Sequence, residues 1–222
     1  MSDGLLAVFS EPGRVPLAQF HNWYDQEHVP LRLQFPEFRH GYRFEATDGL
    51  KPGWLATYDV DLPFLDTARY ASLRTNRSLH EKQLMEQLET LDRRVYSLHH
   101  EAGTLTGEPR YQLVVELTSR DEEGLLDWYL GEHIPLLLQV PGWNRIRQFR
   151  LVQGTAKRIL TIHDVDDPSV CDTALWRHAT STLWRERAMS QVTSRSRRIF
   201  KFHNAGHRPP ASWSNPHLTK EK

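Results

Sequence analysis

The stretch Trp23-Tyr24-Asp25-Gln26-Glu27-His28-Val29-Pro30 occurs twice: it returns 105 residues later as Trp128-Tyr129-Leu130-Gly131-Glu132-His133-Ile134-Pro135. From position 23 to 36, nine of fourteen residues are identical in the two copies. The register continues without a gap to Pro63 and Pro168, and it resumes one residue shorter at Arg93-Arg94 and Arg197-Arg198. The chain is therefore a tandem duplication, and each repeat is one structural unit.

The repeats set the predicted domain boundaries. We place the first repeat at residues 1–104 and the second at 105–205, with Gly103, Gly107 and Pro109 in the connector. The remaining residues, 206–222, contain Pro209-Pro210, Pro216 and lysines, and we expect them to form a loosely ordered C-terminal tail.

The hydrophobic pattern changes in the same order within each repeat. In the first, it predicts strands over 5–9, 38–44, 54–60 and 94–98. It predicts helices over 17–31 and 65–91, the first ending or kinking at Pro30 and the second broken near Asn76. The order βαββαβ is that of a ferredoxin-like unit, whose sheet carries both helices on one face.

A sheet with large apolar side chains on both faces needs a covering partner, and the second repeat supplies one. The sequence therefore predicts an α+β fold, in which two ferredoxin-like βαββαβ repeats form an intramolecular dimeric α/β barrel. The expected assembly is a monomer with pseudo-two-fold symmetry or a weak homodimer.

Composition excludes several classes of protein. The 222 residues carry a formal net charge of zero, which gives no electrostatic case for nucleic acid. No apolar run approaches the 18 residues typical of a membrane span, and Met1-Ser2-Asp3-Gly4 has no signal-peptide pattern. The single cysteine, Cys171, rules out an intramolecular disulfide. We therefore expect a cytoplasmic protein without membrane or nucleic-acid partners.

The W-Y-x-x-E-H-[V/I]-P motif after a first strand resembles that of EthD-domain proteins, in particular the tandem EthD-like proteins of fungi and some bacteria. The resemblance covers residues 4–204 and implies membership of the dimeric α/β barrel superfamily. It implies relatives in secondary metabolism that are cofactor-free decarboxylases, cyclases and isomerases of aromatic polyketides or lactones, while more remote barrels bind haem or act as monooxygenases. By resemblance, His28 and His133 face the cavity between sheet and helix.

The Glu-His pair of each repeat lies beside the apolar stripe of its helix. A histidine there can take or donate a proton at neutral pH, so His28 and His133 are predicted catalytic residues. The alternative stays open that each histidine stabilises the end of its helix and each glutamate holds a loop amide or an arginine.

Two strand rows differ between the repeats. Phe38-His40-Tyr42-Phe44 becomes Trp143-Arg145-Arg147-Phe149, and Trp54-Ala56-Tyr58-Val60 becomes Ile159-Thr161-His163-Val165. If the rows face the barrel interior, His40 and Tyr58 add catalytic groups, and Arg145 with Arg147 clamps a carboxylate or phenolate. Solvated arginines and aromatic core packing are the alternatives. The predicted substrate-binding residues are Trp23, Tyr24, Glu27, Tyr42, Trp128, Tyr129, Arg145, Arg147 and His163.

The absence of several motifs leaves two candidate functions. Nucleotide-binding loops, C-x-x-C, H-E-x-x-H and G-x-S-x-G are absent, and the histidines show no metal-ligand spacing, so we predict no metal and no cofactor. The first function is a cofactor-independent lyase, cyclase or isomerase that uses histidine and tyrosine acid-base chemistry on an aromatic or polyketide-type small molecule. The second is a non-catalytic barrel that binds a small molecule or haem, for which one axial histidine suffices.

Overall fold

The computed structural model describes residues 3–215, and its elements follow the predicted order. In the first repeat, β1 (Asp3–Glu11) precedes α1 (Leu17–Trp23), a π-helical turn (Tyr24–His28) and α2 (Val29–Leu33). The remaining elements of this repeat are β2 (Phe38–Ala46), β3 (Trp54–Asp61), a 3-10 turn (Leu62–Asp66), α3 (Ala68–Thr75), α4 (Leu79–Met85) and β4 (Thr90–Gly103).

The second repeat has the same succession of elements. They are β5 (Tyr111–Ser119), α5 (Glu122–Trp128), a π-helical turn (Tyr129–His133), α6 (Ile134–Leu137), β6 (Trp143–Gln153), β7 (Ile159–Val165), a 3-10 turn (Pro168–Asp172), α7 (Ala174–Ala179), α8 (Leu183–Ser190) and β8 (Val192–Ala205). The long helix predicted over 65–91 is divided as expected near Asn76, because Ser78 caps a new helix with its hydroxyl.

The described strands hydrogen-bond in the order β1-β3-β2-β8-β5-β7-β6-β4, which is a closed barrel. The predicted fold class is confirmed. Two compact units divide the chain: the first unit holds the residues up to Ser97 and those from His203, and the second holds Leu98–Phe202. The long strands β4 and β8 thus each contribute residues to both units, whereas the sequence placed the boundaries at 104 and 205.

A π-helical turn precedes the motif proline in each repeat. The N–H of Val29 bonds to the carbonyl of Tyr24, and the N–H of Ile134 bonds to that of Tyr129, five residues earlier in both cases. Proline lacks an N–H and its ring crowds the carbonyl four residues before it, so the wider turn accommodates Pro30 within a continuing helix. The helix therefore continues to Leu33 and does not end at Pro30.

A β-bulge in β2 changes which side chains share a face of the sheet. The pairing with β3 shifts between Phe38 and His40, so the alternation restarts there. Phe38 packs with Tyr58 in the core beneath the helices, and Gly41 leaves room for the Tyr58 ring, which a Cβ would approach to 3.2 Å. Because neighbours alternate along a strand, His40 and Tyr42 point to the opposite face.

The same shift occurs in β6 between Trp143 and Arg145. Trp143 packs in the core of the second unit, whereas Arg145 and Arg147 alternate to the opposite face. The predicted rows are therefore wrong on β2 and β6: an inserted residue separates the first member of each row from the rest. The third-strand row from Trp54 to Val60 does share one face, the helix-covered one.

Residues 206–215, predicted to be loosely ordered, pack against β2 within the first unit. The N–H of Gly206 donates to the carbonyl of Gly41 at 2.8 Å, and a guanidinium N–H of Arg208 donates to the carbonyl of Phe38 at 3.0 Å. Asn215 is buried. Residues 216–222 of the predicted tail lie outside the described residues. No helix within residues 3–215 is long and apolar enough to cross a bilayer.

Candidate functional site

The motif glutamate of the first repeat joins two helices. The Glu27 carboxylate is fully buried and accepts hydrogen bonds from the Ser78 hydroxyl at 2.6 Å and from the Asn215 amide at 3.0 Å. His80 Nδ1 lies 3.1 Å from its other oxygen. Since Ser78 caps α4, Glu27 fixes the start of that helix against the π-helical turn.

The motif glutamate of the second repeat, Glu132, likewise joins two helices. The Thr182 hydroxyl, which caps α8, donates to Glu132 at 2.5 Å, and Trp128 Nε1 donates to the same oxygen at 3.0 Å. Protein donors thus occupy the carboxylates of both motifs. Glu27, predicted to bind substrate, has a structural role in these contacts.

His28 is bonded to a carboxylate that the sequence reading did not single out. Its Nδ1 lies 2.8 Å from Glu81 Oε1, and both side chains are buried. Glu81 is the third residue after the cap Ser78, whose hydroxyl accepts its backbone N–H at 2.9 Å. The capping of α4 therefore also places the carboxylate against His28.

Burial determines the protonation of this pair. Burial, reinforced by the positive charge of Arg32, lowers the pKa of His28 to about 4 against the opposing effect of Glu81. Burial alone raises the pKa of Glu81, but the hydrogen bond and charge of His28 with those of Arg32 and Arg77 lower it overall. At neutral pH the imidazole is neutral and donates Nδ1–H to a carboxylate, which leaves Nε2 unprotonated.

His28 lines a cavity of about 200 Å³ in the first unit. No hydrogen bond to Nε2 is formed within residues 3–215, so its lone pair is available to a ligand. The other lining residues are Leu6, Val8, Arg32, Tyr70, Arg74, Arg77, Met85, Leu91 and Arg93. The walls are therefore apolar with a strongly cationic side.

The four arginines of the cavity form two pairs: Arg32 and Arg93 bind protein groups, and within residues 3–215 Arg74 and Arg77 do not. Arg32 donates to the carbonyl of His28 at 2.7 Å, and Arg93 donates to the Tyr70 hydroxyl at 3.2 Å. Arg74 and Arg77, by contrast, make no hydrogen bond or ion pair with any described residue. Arg77 is half-buried, and that burial lowers its pKa. Arg74 is exposed, and Arg77 interacts with the charge of Glu81. An anion in the cavity would add a hydrogen-bonding partner to both guanidinium groups.

His133 has a different partner. Its Nδ1 lies 3.1 Å from the backbone carbonyl of Ala179, near the end of α7. Arg185, whose backbone N–H bonds the cap Thr182 at 3.2 Å, occupies the position of Glu81. Burial lowers the pKa of His133 to about 4. The histidine is neutral, with its proton on Nδ1 and no carboxylate to support a positive charge.

The second unit holds a smaller and more aromatic cavity of about 120 Å³. Arg32 of the first cavity is replaced by Leu137, and His163 stands where the first unit has Tyr58. Burial, reinforced by His133 and Arg197, lowers the pKa of His163 to about 3. Its lining comprises Leu113, Val115, Trp128, Tyr129, His133, Leu137, Trp143, His163, Trp176, Thr180, Arg185, Met189 and Arg197.

The predicted aromatic residues flank the histidines. The ring centroid of His28 lies 4.5 Å from Trp23 and 5.2 Å from Tyr24, and that of His133 lies 4.4 Å from Trp128 and 5.3 Å from Tyr129. Of these, Trp128 and Tyr129 line a cavity, and Trp23 and Tyr24 pack behind His28. These rings supply the desolvation that keeps both imidazoles neutral.

The remaining predicted site residues do not converge on His28. Tyr58 is buried in the core, and its hydroxyl has no hydrogen-bond partner within the described residues. His40 is exposed and stacks on Tyr42, with centroids 5.8 Å apart. Neither cavity is lined by Tyr58, His40 or Tyr42.

The predicted arginine clamp also lies away from both cavities. Arg145 is ion-paired with the fully buried Asp164 at 2.8 Å. The guanidinium of Arg147, itself buried, lies 5.6 Å from the centroid of the Phe149 ring. The arginines of the first cavity, Arg74 and Arg77, were missed by sequence reasoning.

A further polar cluster in the first unit is internally satisfied. Buried Arg43 donates to Asp25 at 2.7 Å, approaches His21 Nδ1 at 2.9 Å and stacks over the Tyr24 ring at 4.3 Å. Burial, followed by the charge of Arg43, lowers the pKa of His21 to about 4. Its groups bind one another, which gives the cluster a packing role.

The cavities do not fit a haem. His28 or His133 would be the axial ligand, but ligand pockets for drug-sized molecules span roughly 300–1,000 Å³. The cavities measure about 200 and 120 Å³, and a haem is larger than such molecules. Within residues 3–215, no group of three or more His, Cys, Asp or Glu side chains could hold a metal ion.

Comparison with known proteins shows the fold alone. No protein-family profile and no functionally described protein matches the sequence. Among solved structures, an anthrone oxidase-like protein is similar with a TM-score of 0.66 and 14% identity, over 96% of this chain and 97% of the other. A mutant chlorite dismutase from Candidatus Nitrospira defluvii is similar with a TM-score of 0.63 and 8% identity, over 92% and 93%. The chain thus has the barrel fold that the EthD resemblance implies.

Proposed function

We propose that the protein is a cofactor-independent enzyme that moves a proton on a small aromatic anion in the cavity of the first unit. His28 is the general base, Glu81 positions it, and Arg74 with Arg77 binds the anionic group. The observation that carries this proposal is the contact of His28 Nδ1 with Glu81 Oε1 at 2.8 Å, which leaves Nε2 as a proton acceptor in the cavity.

The proposed step is proton abstraction next to a carbonyl group. His28 Nε2 takes the proton, and the electron pair of the broken C–H bond forms the carbon–carbon double bond of an enolate. The oxygen of the enolate carries the resulting negative charge beside an arginine. The imidazolium is stabilised by Glu81, and it returns the proton to the same or another carbon, which makes the overall reaction an exchange or an isomerisation.

Cavity size and charge narrow the substrate class. An engineered cavity of about 150 Å³ accommodates benzene. The first cavity, at about 200 Å³, has space for one aromatic ring with a short substituent. Multi-ring polyketides exceed it, so we favour a single-ring substrate. The unpaired cations Arg74 and Arg77 favour a carboxylate or phenolate substituent.

One observation favours the second candidate function, an anion-binding protein without catalysis. A general base works best when its pKa is near the operating pH, and the pKa of His28 is about 4. A bound anion would raise this pKa by its own charge, and Glu81 supports the protonated form. Binding and catalysis therefore have to be measured separately.

Phenylpyruvate is a suitable probe because it joins one aromatic ring, a carboxylate and an acidic carbon next to a carbonyl. The measurement is protein-catalysed exchange of its benzylic hydrogens for deuterium in D2O, followed by NMR. We expect His28→Gln to lower the exchange rate by about 10²–10⁴-fold, the usual contribution of a general base.

The matched control is His133→Gln, which changes the corresponding residue of the other repeat and should retain the exchange rate. Thermal melting of both variants checks that the fold persists. Exchange that is equal in wild type and His28→Gln, together with saturable phenylpyruvate binding, would reject catalysis and favour the anion-binding protein. Absence of both binding and exchange would reject the site for this ligand class.

A further inference from the structure

The cavity of the second unit presents two polar atoms of opposite kind. The carbonyl of Ala179 can only accept, so the His133 proton resides on Nδ1 and Nε2 carries a lone pair. Trp143 Nε1 donates to His163 Nδ1 at 3.3 Å, so the proton of neutral His163 resides on Nε2. Within residues 3–215, neither Nε2 has a hydrogen-bond partner.

Both histidines are almost fully buried, with 8% and 3% of their surface exposed, and both line the same cavity. Each Nε2 atom therefore has an unused hydrogen-bonding capacity in the lining of the cavity. A hydroxyl group satisfies both at once, because its hydrogen donates to His133 Nε2 and its oxygen accepts from His163 Nε2–H.

The rest of the cavity selects for an aromatic ring. Trp128, Trp143 and Trp176 line it together with aliphatic side chains. Its volume of about 120 Å³ is below the roughly 150 Å³ of a cavity that holds benzene, so one small ring is the upper limit of what it can take. A carboxylate is less favoured here than in the first cavity, because two arginines line this cavity and four line the first. Arg185 and Arg197, which also line the cavity, are both partly or fully exposed to solvent.

We propose that the second unit holds a separate binding site for a small, neutral, single-ring molecule with one hydroxyl group. Phenol is the simplest probe of this class. The site differs from that of the first unit in ligand charge, and its His133 lacks the carboxylate that would stabilise an imidazolium. It does not depend on the reaction proposed for the first unit.

Calorimetric titration of the full chain with phenol tests the site, with toluene as a control of the same shape and benzoate as a charged control. We expect phenol to bind with a Kd of about 1 mM or tighter. The His133→Phe variant should bind phenol about tenfold more weakly and toluene unchanged, because only the hydroxyl loses its partner.

A second variant changes the other histidine of the site but keeps its hydrogen-bonding groups. His163→Gln retains a carbonyl for Trp143 and an N–H for the ligand, so it should bind phenol within about threefold of wild type. Because His133 plays no part in the first unit, phenylpyruvate exchange in His133→Phe should equal that of wild type. Equal binding of phenol and toluene, or unchanged phenol binding by His133→Phe, would overturn the proposal whatever the exchange assay shows.

Discussion

The two π-helical turns present the same Glu-His pair to different surroundings. In the first unit, the helix that Ser78 caps places Glu81 against His28, and in the second the helix that Thr182 caps carries Arg185 at that position. The motif glutamate bonds the capping hydroxyl in both units. The shared glutamates thus maintain the fold, and the residue three places after each cap sets the surroundings of the shared histidine.

The cavities of the two units also differ in their lining residues. Four arginines line the first cavity, and the second has two arginines, three tryptophans and a second neutral histidine. The duplicated scaffold therefore offers a strongly cationic cavity with a carboxylate-bonded histidine and a less cationic, more aromatic cavity with two neutral histidines.

The largest expected effect comes from Glu81→Gln. A glutamine side chain at this position can accept Nδ1–H through its oxygen, but it lacks the negative charge that stabilises the imidazolium. If its N–H donates to Nδ1 instead, the histidine proton moves to Nε2, which can then accept no proton. We expect phenylpyruvate exchange to fall by about 10²-fold or more, mainly in kcat. Arg185→Gln is the matched change in the second unit and should leave the rate within twofold. Equal losses in the two variants would remove the distinction between the units.

Arg77→Gln should weaken the binding of an anion in the first cavity. Loss of an unpaired, half-buried cation weakens benzoate binding by about tenfold or more, the usual contribution of a charged hydrogen bond. Arg69→Gln removes a charge from an exposed pair with Glu37 in the same unit and should leave the affinity unchanged. Similar weakening in both variants would indicate a general charge effect and no clamp.

The smallest effect concerns stability. Ser78→Ala and Thr182→Ala each remove a helix cap and a donor to the motif glutamate, at a cost of about 1–3 kcal/mol in the free energy of unfolding. We expect the greater loss in Ser78→Ala, because Glu27 is fully buried and Glu132 is only half-buried. Urea denaturation of the full chain gives both values. A greater loss in Thr182→Ala would contradict the structural roles assigned to the glutamates.

The duplication, element order and fold class followed from the sequence, because repeats and hydrophobic periodicity extend over many residues. The assignment of the side-chain rows to one face of the sheet did not follow from the sequence. A single inserted residue in β2 and in β6 puts Phe38 and Trp143 on the helix-covered face, apart from His40, Tyr42, Arg145 and Arg147, and strand periodicity carries no signal for such an insertion.

Glu81 was missed although a sequence signal existed. Ser78-Leu79-His80-Glu81 has the S-x-x-E spacing of a capping box, and the second repeat has Thr182-Leu183-Trp184-Arg185 instead. Comparing the caps of the repeats points to this difference. The contact of Glu81 with His28, 53 residues away, depends on tertiary packing and could not be obtained from local spacing.

The most direct test of the account is the protonation of His28 in the unmodified protein, read from long-range 1H–15N spectra of the histidine side chains. We expect a neutral ring at pH 7 with its proton on Nδ1 and a pKa of about 4. Added benzoate should shift the Nε2 resonance of His28 and raise its pKa, and it should leave His133 unchanged. A His28 that carries its proton on Nε2, or whose Nε2 resonance does not respond to bound benzoate, would contradict the assignment of this histidine as the base of the first unit.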